Sequence, residues 1–535
     1  MYDGAKELLS RGRNLFAKKE NLDSLHQQIA DNFYPERAIF TVTRNLGDEF
    51  ASHLMTSYPV MARRDLGNSF SAMLRRDDWF SLRLVDGEDR ETIAALRWLE
   101  WAGKRMRRIM YERSAMFLRA TKEGDHDFAA FGQCAISVEL NQNADGMLYR
   151  CWHLKDMAWA ENESGDISEV HRKWRPTAKM LINLFPATAH QTVRDCAVKD
   201  PFKEVECCHI VIPSSSYGSK FAKFPYVSVY IDVENECVLE EVGSWDRIYC
   251  IPRWQTVSGS QYSYSPATVI ALPDARLLQQ MTLVLLEAGE KAVNPPMVAT
   301  SEAISGDISL YAGGITWTDA SYDERMGDVL RPISQSTGGI PLGMEMRESL
   351  RGAMIEAFYL NKLSLPAGPE MTAYEVSQRV QEYIRQAMPI FEPMETEYNG
   401  QLCEMTFSKL IRAGAFGSPK TWPQEIQNAE YAFMFQSPLS EAIDRQKVGK
   451  LQESANLLAT IAAADPGAVN NIDLTAAFRD ALKGVGVPAA WIRPEDEVEK
   501  IDMAVAEQNA KAAMVQGASA VAGAKMNMAA AGMSE

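Results

Sequence analysis

Two short clusters carry side chains whose types and spacing suit metal or hydrolytic chemistry. The first is Gly124-Asp125-His126-Asp127, where carboxylate and imidazole lie side by side. Those are the donors of a metal-dependent hydrolase, in which the ion polarises a substrate oxygen and activates a water. Such a site needs further ligands, and no second His-rich or Asp-rich cluster of recognisable spacing accompanies it. The segment therefore reads as a solvated helix end before a strand-like stretch, 134 to 140, with Phe128 and Phe131 as core anchors. The second cluster, Cys196, Cys207, Cys208 and His209, has metal-capable atoms but lacks a paired C-x-x-C knuckle, and reads as strand residues with reduced thiols. No G-x-x-x-x-G-K-S/T phosphate loop occurs, so ATP hydrolysis through such a loop is not expected. No cofactor or metal is expected, and the chain does not read as an enzyme.

A basic run, Lys104, Arg105, Arg107 and Arg108, adjoins Trp101 and Met106 at helical spacing. It reads as the polar face of an amphipathic helix, with subunit or nucleic-acid contacts as the alternatives. Met344, Met346 and Met354 read as packing residues.

These residues must be positioned by elements that the hydrophobic pattern outlines. Apolar residues from Leu8 to Phe33 recur at helical spacing up to Tyr34-Pro35, which stops the helix. Further helical stretches cover about 47 to 75, before Trp79 and Phe80 enter an extended segment, and about 89 to 122. Residues 134 to 260 are β-rich, with short β-branched and aromatic runs between polar turns. Ser265 and Pro266 then cap and start a long helix, 266 to 292, that Asn294-Pro295-Pro296 ends. Its stripe is Leu277, Leu278, Met281, Val284 and Leu285. A small β-containing insert follows, and Pro341 starts a returning helix to about 363 with Leu350, Ile355 and Phe358 on one side. Thr372 and Glu375 form a capping box after an irregular loop, and Pro389 and Pro393 predict a break before helix resumes towards Gly414. Helices are expected at 440 to 464, 472 to 484 and 495 to 516, before a tail rich in Ala, Gly and Met.

Composition bounds the functional classes. At 535 residues the chain holds more than one core, and 46% hydrophobic against 24% charged residues describes an ordinary globular protein of α+β class. A formal charge of -16 repels a polyanion, which disfavours tight DNA binding; only if copies closed into a ring would that charge suit a wall along which DNA slides. Eight cysteines without a dense framework fit a reducing cytoplasm. The first residues do not read as a signal peptide, and no apolar run reaches membrane-spanning length, so no membrane partner is expected.

Four passages carry a family likeness: Phe33-Tyr34-Pro35 with the block DDWFSL at 77 to 82; DFAAFGQCAISVE at 127 to 139; YSPATVIALPDARLLQQMTLVLLEAGEKAVNPPMV at 264 to 298; and MTAYEVSQRVQEY at 371 to 383. In that order they resemble the podovirus head-to-tail connector, or portal, family over nearly the whole chain. One departure is that Tyr264 directly precedes Ser265, where the family spaces them; Tyr262 is also available.

The resemblance implies a phage portal fold assembled as a dodecameric ring at one capsid vertex. Its regions would be a wing first part at 1 to 260, a stem helix at 261 to 292, a clip at 293 to 340 and a second stem helix at 341 to 363. A tunnel loop and kinked wing helix would occupy 364 to 430, a crown 431 to 502 and a C-terminal tail 503 to 535. The tunnel loop would comprise Leu365, Pro366, Ala367, Gly368, Pro369 and Glu370, and the two apolar stripes above would be stem packing. The implied partners are other copies of the chain, the terminase large subunit, tail adaptor and tail proteins, capsid and scaffolding proteins, and double-stranded DNA passing without sequence specificity. The implied location is the virion, after assembly in the host cytoplasm. The alternatives are a hydrolase using Asp125, His126 and Asp127, or a monomeric adaptor.

Overall fold

The computed structural model describes residues 4–299, 330–332, 339–361 and 392–435, apart from breaks at 46, 50, 76–77, 86–91, 142–145 and 428, with scattered residues between 454 and 508. It is a mixed α and β chain whose contacts divide it into two compact units, 1–76 with 109–413 and 77–108 with 414–535. Within residues 1 to 260, therefore, 77–108 group with the C-terminal segment.

In the first unit, helix α1 (Ala5–Phe33) lays Leu8 and Leu9 against one face of an antiparallel sheet. The sheet runs in the order β4 (Met157–Glu161), β5 (Ile167–Trp174), β6 (Cys207–Pro213), β7 (Tyr226–Asp232), β8 (Cys237–Ser244). Alternation along β6 sends Cys208, Ile210 and Ile212 towards α1 and Cys207 towards the opposite face. There α5 (Ala178–Leu184) and α6 (Gln191–Lys199) cover it through Leu181, Phe185 and Val193. These two short helices lie inside the stretch expected to be β-rich, and Cys196 belongs to α6, not to a strand. Thr177 caps α5 by accepting from the Met180 amide at 3.3 Å.

The centre of this unit is α4 (Phe117–Phe131), which packs on α2 (Tyr58–Leu74) and on the sheet of β3 (Met147–Trp152), β2 (Ala135–Leu140) and β9 (Tyr249–Cys250). Phe128, wholly buried, stacks on Trp254 at 5.4 Å and meets Phe70 and Tyr398. Full burial of one such side chain contributes about 1.5–3 kcal/mol. The helix expected from 89 to 122 is in fact two, α3 (Ile93–Met110) and α4, separated by a single tight turn and Met116 in left-handed conformation at φ 56. Likewise the stretch from 47 becomes helical only at Tyr58, in α2.

Two antiparallel helices complete the unit: α7 (Pro266–Val293) and α8 (Gly339–Ala357), with β10 (Met297–Ala299) pairing β11 (Leu330–Pro332) beyond them. After Pro393 the chain winds as a π-helix, Met394–Gly400, and then as α9 (Gln401–Arg412), a change of helical pitch on the described side of the expected break.

In the second unit, β1 (Phe80–Leu84) pairs antiparallel with β12 (Tyr431–Phe435), and buried Trp79 and Phe80 meet at 4.6 Å. Of the three helices expected beyond 440, the described residues at 454–458, 477–479, 481–482 and between 497 and 508 are helical.

Candidate functional site

The most distinctive surface is the α7–α8 pair, and its root explains how it is held. Ser265 caps α7, its hydroxyl accepting from the Thr268 amide at 3.4 Å and donating to the Ala129 carbonyl at 2.7 Å. Thr268 donates to the Ala130 carbonyl at 2.7 Å, and Ser263 to the Gly132 carbonyl at 2.6 Å. The last turn of α4 thus sends its unpaired carbonyls into the first turn of α7, satisfying backbone groups that helix ends otherwise leave open. Gly132, at φ 73, ends α4, and its amide returns to the Phe128 carbonyl at 2.9 Å. Two of the passages that carried the family likeness are therefore the two sides of one junction.

Further along, α7 is clamped by Gln279. Its side-chain oxygen accepts from the Met55 and Thr56 amides at 2.7 and 2.9 Å, and its amide donates to the Thr56 carbonyl at 2.9 Å. Arg276 reaches Gln28 at 2.8 Å. Met354 on α8 and Phe358, in the turn just past its end and so short of the expected limit at about 363, are fully buried, and Phe358 meets the Phe33 ring at 5.4 Å. Gly343 lies so near Leu285 that a β-carbon there would stand 2.8 Å from its Cδ2, which sets the close approach of the two helices.

Beyond this root the pair is bare. Val284 is 57% and Leu286 59% exposed, and Leu283, Val293, Leu342, Met344 and Met346 are exposed too. Of the expected stem residues, Leu278 and Phe358 are buried, Met281, Leu285 and Leu350 half-buried, and Leu277, Val284 and Ile355 exposed. Of the three methionines, only Met354 packs within the chain; Met344 and Met346 face outward. By length and composition α7 would also suffice to cross a membrane. A bare apolar stripe of this extent marks an interaction surface.

The Gly124-Asp125-His126-Asp127 cluster is not a solvated helix end. It lies within α4, and Asp125 and Asp127 are each 1% exposed. Arg75 donates to both Asp125 oxygens at 2.8 Å and to the Asn399 side-chain oxygen at 3.1 Å, while its guanidinium lies 4.5 Å from the Tyr398 ring centre. Arg37 holds Asp127 through two bonds of 2.9 and 2.6 Å. His126 accepts from Arg63 at 3.1 Å, and burial, reinforced by Arg63, pushes its imidazole down to about 4. Three side chains adjacent in sequence thus turn to three different arginines. With each carboxylate already neutralised by a guanidinium, the trio has no shared donor face for a cation.

Cys207, Cys208 and His209 lie on β6, where His209 is bonded to Ser228 at 2.8 Å and to Tyr249. Among the described residues no group of three or more His, Cys, Asp or Glu could hold a metal ion. In the basic run, Arg107 turns inward to Asp78, at 2.6 Å, and the Phe80 carbonyl, while Lys104, Arg105 and Arg108 remain exposed. Leu365 to Glu370 lie outside the described residues, as do the Thr372–Glu375 capping box and Pro389. Sequence reasoning missed Gln279, Arg75 and Arg37; the pair Gln279-Gln280 inside an apolar stretch was the one available signal.

The model of the bacteriophage head to tail connecting protein family matches residues 5–492. The chain belongs to that family. This connector is 25% identical over 519 residues to the "Probable portal protein" of Bordetella phage BPP-1, covering 94% of this chain and 91% of the relative. It is 21% identical over 535 residues to the portal protein of Salmonella phage epsilon15, covering 97% and 94%. Among solved structures, a chain from the virion of a native gene transfer agent particle aligns at a TM-score of 0.35 and 10% identity, over 82% of this connector and 95% of that chain.

Proposed function

We propose that this connector is the portal subunit of a short-tailed phage, a structural protein that closes into a dodecameric ring at one capsid vertex. Residues 1 to 260 and 364 to 430 then form the wing, α7 and α8 the stem, 293 to 340 the clip, and 431 to 502 the crown. Double-stranded DNA passes through the ring during packaging and ejection, without sequence specificity. The clip meets the terminase large subunit first and tail adaptor and tail proteins later, while capsid and scaffolding proteins surround the ring. Assembly takes place in the host cytoplasm and the product resides in the virion.

The observation that carries this reading is the bare apolar half of the α7–α8 pair. An antiparallel helix pair rooted by capped ends and exposed along its length gains its missing burial when identical copies stand side by side, because rotational symmetry gives each copy the same complementary neighbour. The apolarity that would also let α7 cross a bilayer is, in this reading, subunit interface. The net charge of -16 suits the channel role, since DNA must slide and not adhere.

The test is electron microscopy of the purified protein with rotational averaging. Closed rings with a central hole are the expected result. Monomers persisting across concentration and salt would sink the reading and favour a monomeric adaptor.

A further inference from the structure

We infer that the outward face of α3 is a docking surface for the acidic segment 495–502 of a neighbouring copy of this chain. The inference rests on the ring reading and goes beyond it by naming a second inter-subunit contact, away from the α7–α8 pair.

The surface is built by helical spacing. Arg97, Trp101, Lys104, Arg105 and Arg108 are all exposed and fall on one face of α3, because residues three and four apart stand together on a helix. Acid pairing within the chain does not neutralise it: among the described residues none of these four cations has a carboxylate at ion-pair distance. Arg105 donates to the Ala415 carbonyl at 2.6 Å and Arg97 to the Ile492 carbonyl at 3.2 Å. Trp101, 45% exposed, is propped from behind by Phe416 at 6.3 Å and by Trp98 at 6.2 Å, and Trp98 rests on Trp422 at 5.0 Å. A fixed, half-exposed tryptophan ringed by arginines and a lysine has the composition of a protein-binding hot spot.

The occupant is argued from complementarity. Directly after Ile492, the residue that Arg97 holds, the chain carries Glu495, Asp496, Glu497, Glu499 and Asp502 against one cation, Lys500. Described residues between 497 and 508 are helical and almost all exposed, including Ile501 and Val505. Glu497, Ile501 and Val505 share a face, so acid and then apolar side chains run along about 12 Å, within the roughly 16 Å that Arg97 to Arg108 occupy on α3. Within one copy the described residues Glu497, Ile501 and Val505 are exposed, as is the Trp101 face of α3, and a neighbour's matching surface would cover each. A duplex nucleic acid fits less well: its base faces are already stacked on one another and not open to Trp101, and a chain of charge -16 repels it at longer range.

The experiment mixes two full-length chains, one carrying Lys104→Cys and the other Ile501→Cys, under mild oxidation, with the unsubstituted chain as control for the native cysteines. A disulfide between the two different chains, in material that electron microscopy shows as rings, is the expected result. Adding Arg108→Glu to the first chain should lower that cross-linked fraction by about fivefold, and Glu497→Lys in the second should restore it. Rings without the inter-chain cross-link would overturn the inference alone. Loss of DNA retention, with the cross-link absent, would reassign the face to nucleic acid. Failure to form rings at all would sink the ring reading itself.

Discussion

Gly132 and Tyr264 touch backbone to backbone: a β-carbon on Gly132 would lie 2.1 Å from the Tyr264 carbonyl carbon and 2.3 Å from the Ser265 nitrogen. The same glycine has φ +73, where an L side chain is strained. Gly132→Ala therefore combines a conformational penalty with an overlap that only backbone movement relieves, at the junction rooting α7 on α4. The expected cost exceeds about 3 kcal/mol, read as a fall in the urea midpoint or loss of soluble protein. A midpoint within error of the parent would show that the junction is pliant.

The Arg75–Asp125 pair makes a sharper demand. Burial pushes the Asp125 carboxyl upward, and the Arg75 guanidinium opposes that shift through two hydrogen bonds. Arg75→Ala should destabilise by about 3–5 kcal/mol, because it strands a buried charge. Arg75→Met with Asp125→Leu, which removes both charges and keeps volume, should recover most of the loss in denaturant titrations.

Acid should loosen the fold through its histidines. Burial drives His26 and His153 down to about 3 and His126 to about 4, and His209 falls as well. The unfolded chain takes up these protons as the pH drops through about 6.5, whereas the folded chain refuses them until about 3–4, so stability is full above that window and declines as pH falls through it. Glu139 and Asp156, pushed up by burial, offset the decline only near the carboxylate range. Urea midpoints should fall steadily from pH 7 to pH 5, and His26→Phe should flatten that slope. An unchanged slope in the variant would remove His26 from the account.

How much of this was legible in sequence depended on the range of the interaction. The limits of α7 were written locally, in Ser265, Pro266 and Asn294-Pro295-Pro296, and the helix expected at 266 to 292 ends one residue later. Asp125 and Asp127 look like surface acids because their counter-ions, Arg75 and Arg37, are 50 and 90 residues away. The α3–α4 break was invisible because Met116, not a glycine, takes the left-handed turn. Gln279 was missed since its partners are backbone amides, which no residue type announces.

The segment Leu365 to Pro369, a tunnel loop in the portal reading, bears no charge. If it narrows the channel, it does so by bulk, so deleting 365–369 should leave rings assembled while changing the fraction of DNA retained after packaging. Rings that fail to assemble would make the loop structural instead.

The stem surface permits a test that separates folding from assembly. Val284 and Leu286 are more than half exposed, so charging them leaves the packed root, from Ser265 to Gln279, untouched. Val284→Glu with Leu286→Glu should shift thermal unfolding of the isolated chain by less than about 1 kcal/mol, since exposed substitutions away from packed features are nearly neutral. In a ring the same two positions would bury unpaired carboxylates at every interface, a cost of several kcal/mol repeated around the circle. Circular dichroism like the parent's together with monomers in sedimentation is the expected outcome. Intact rings would show that these two side chains face solvent in the assembly, and the interface would then have to be sought on the Leu277 and Ile355 side of the pair.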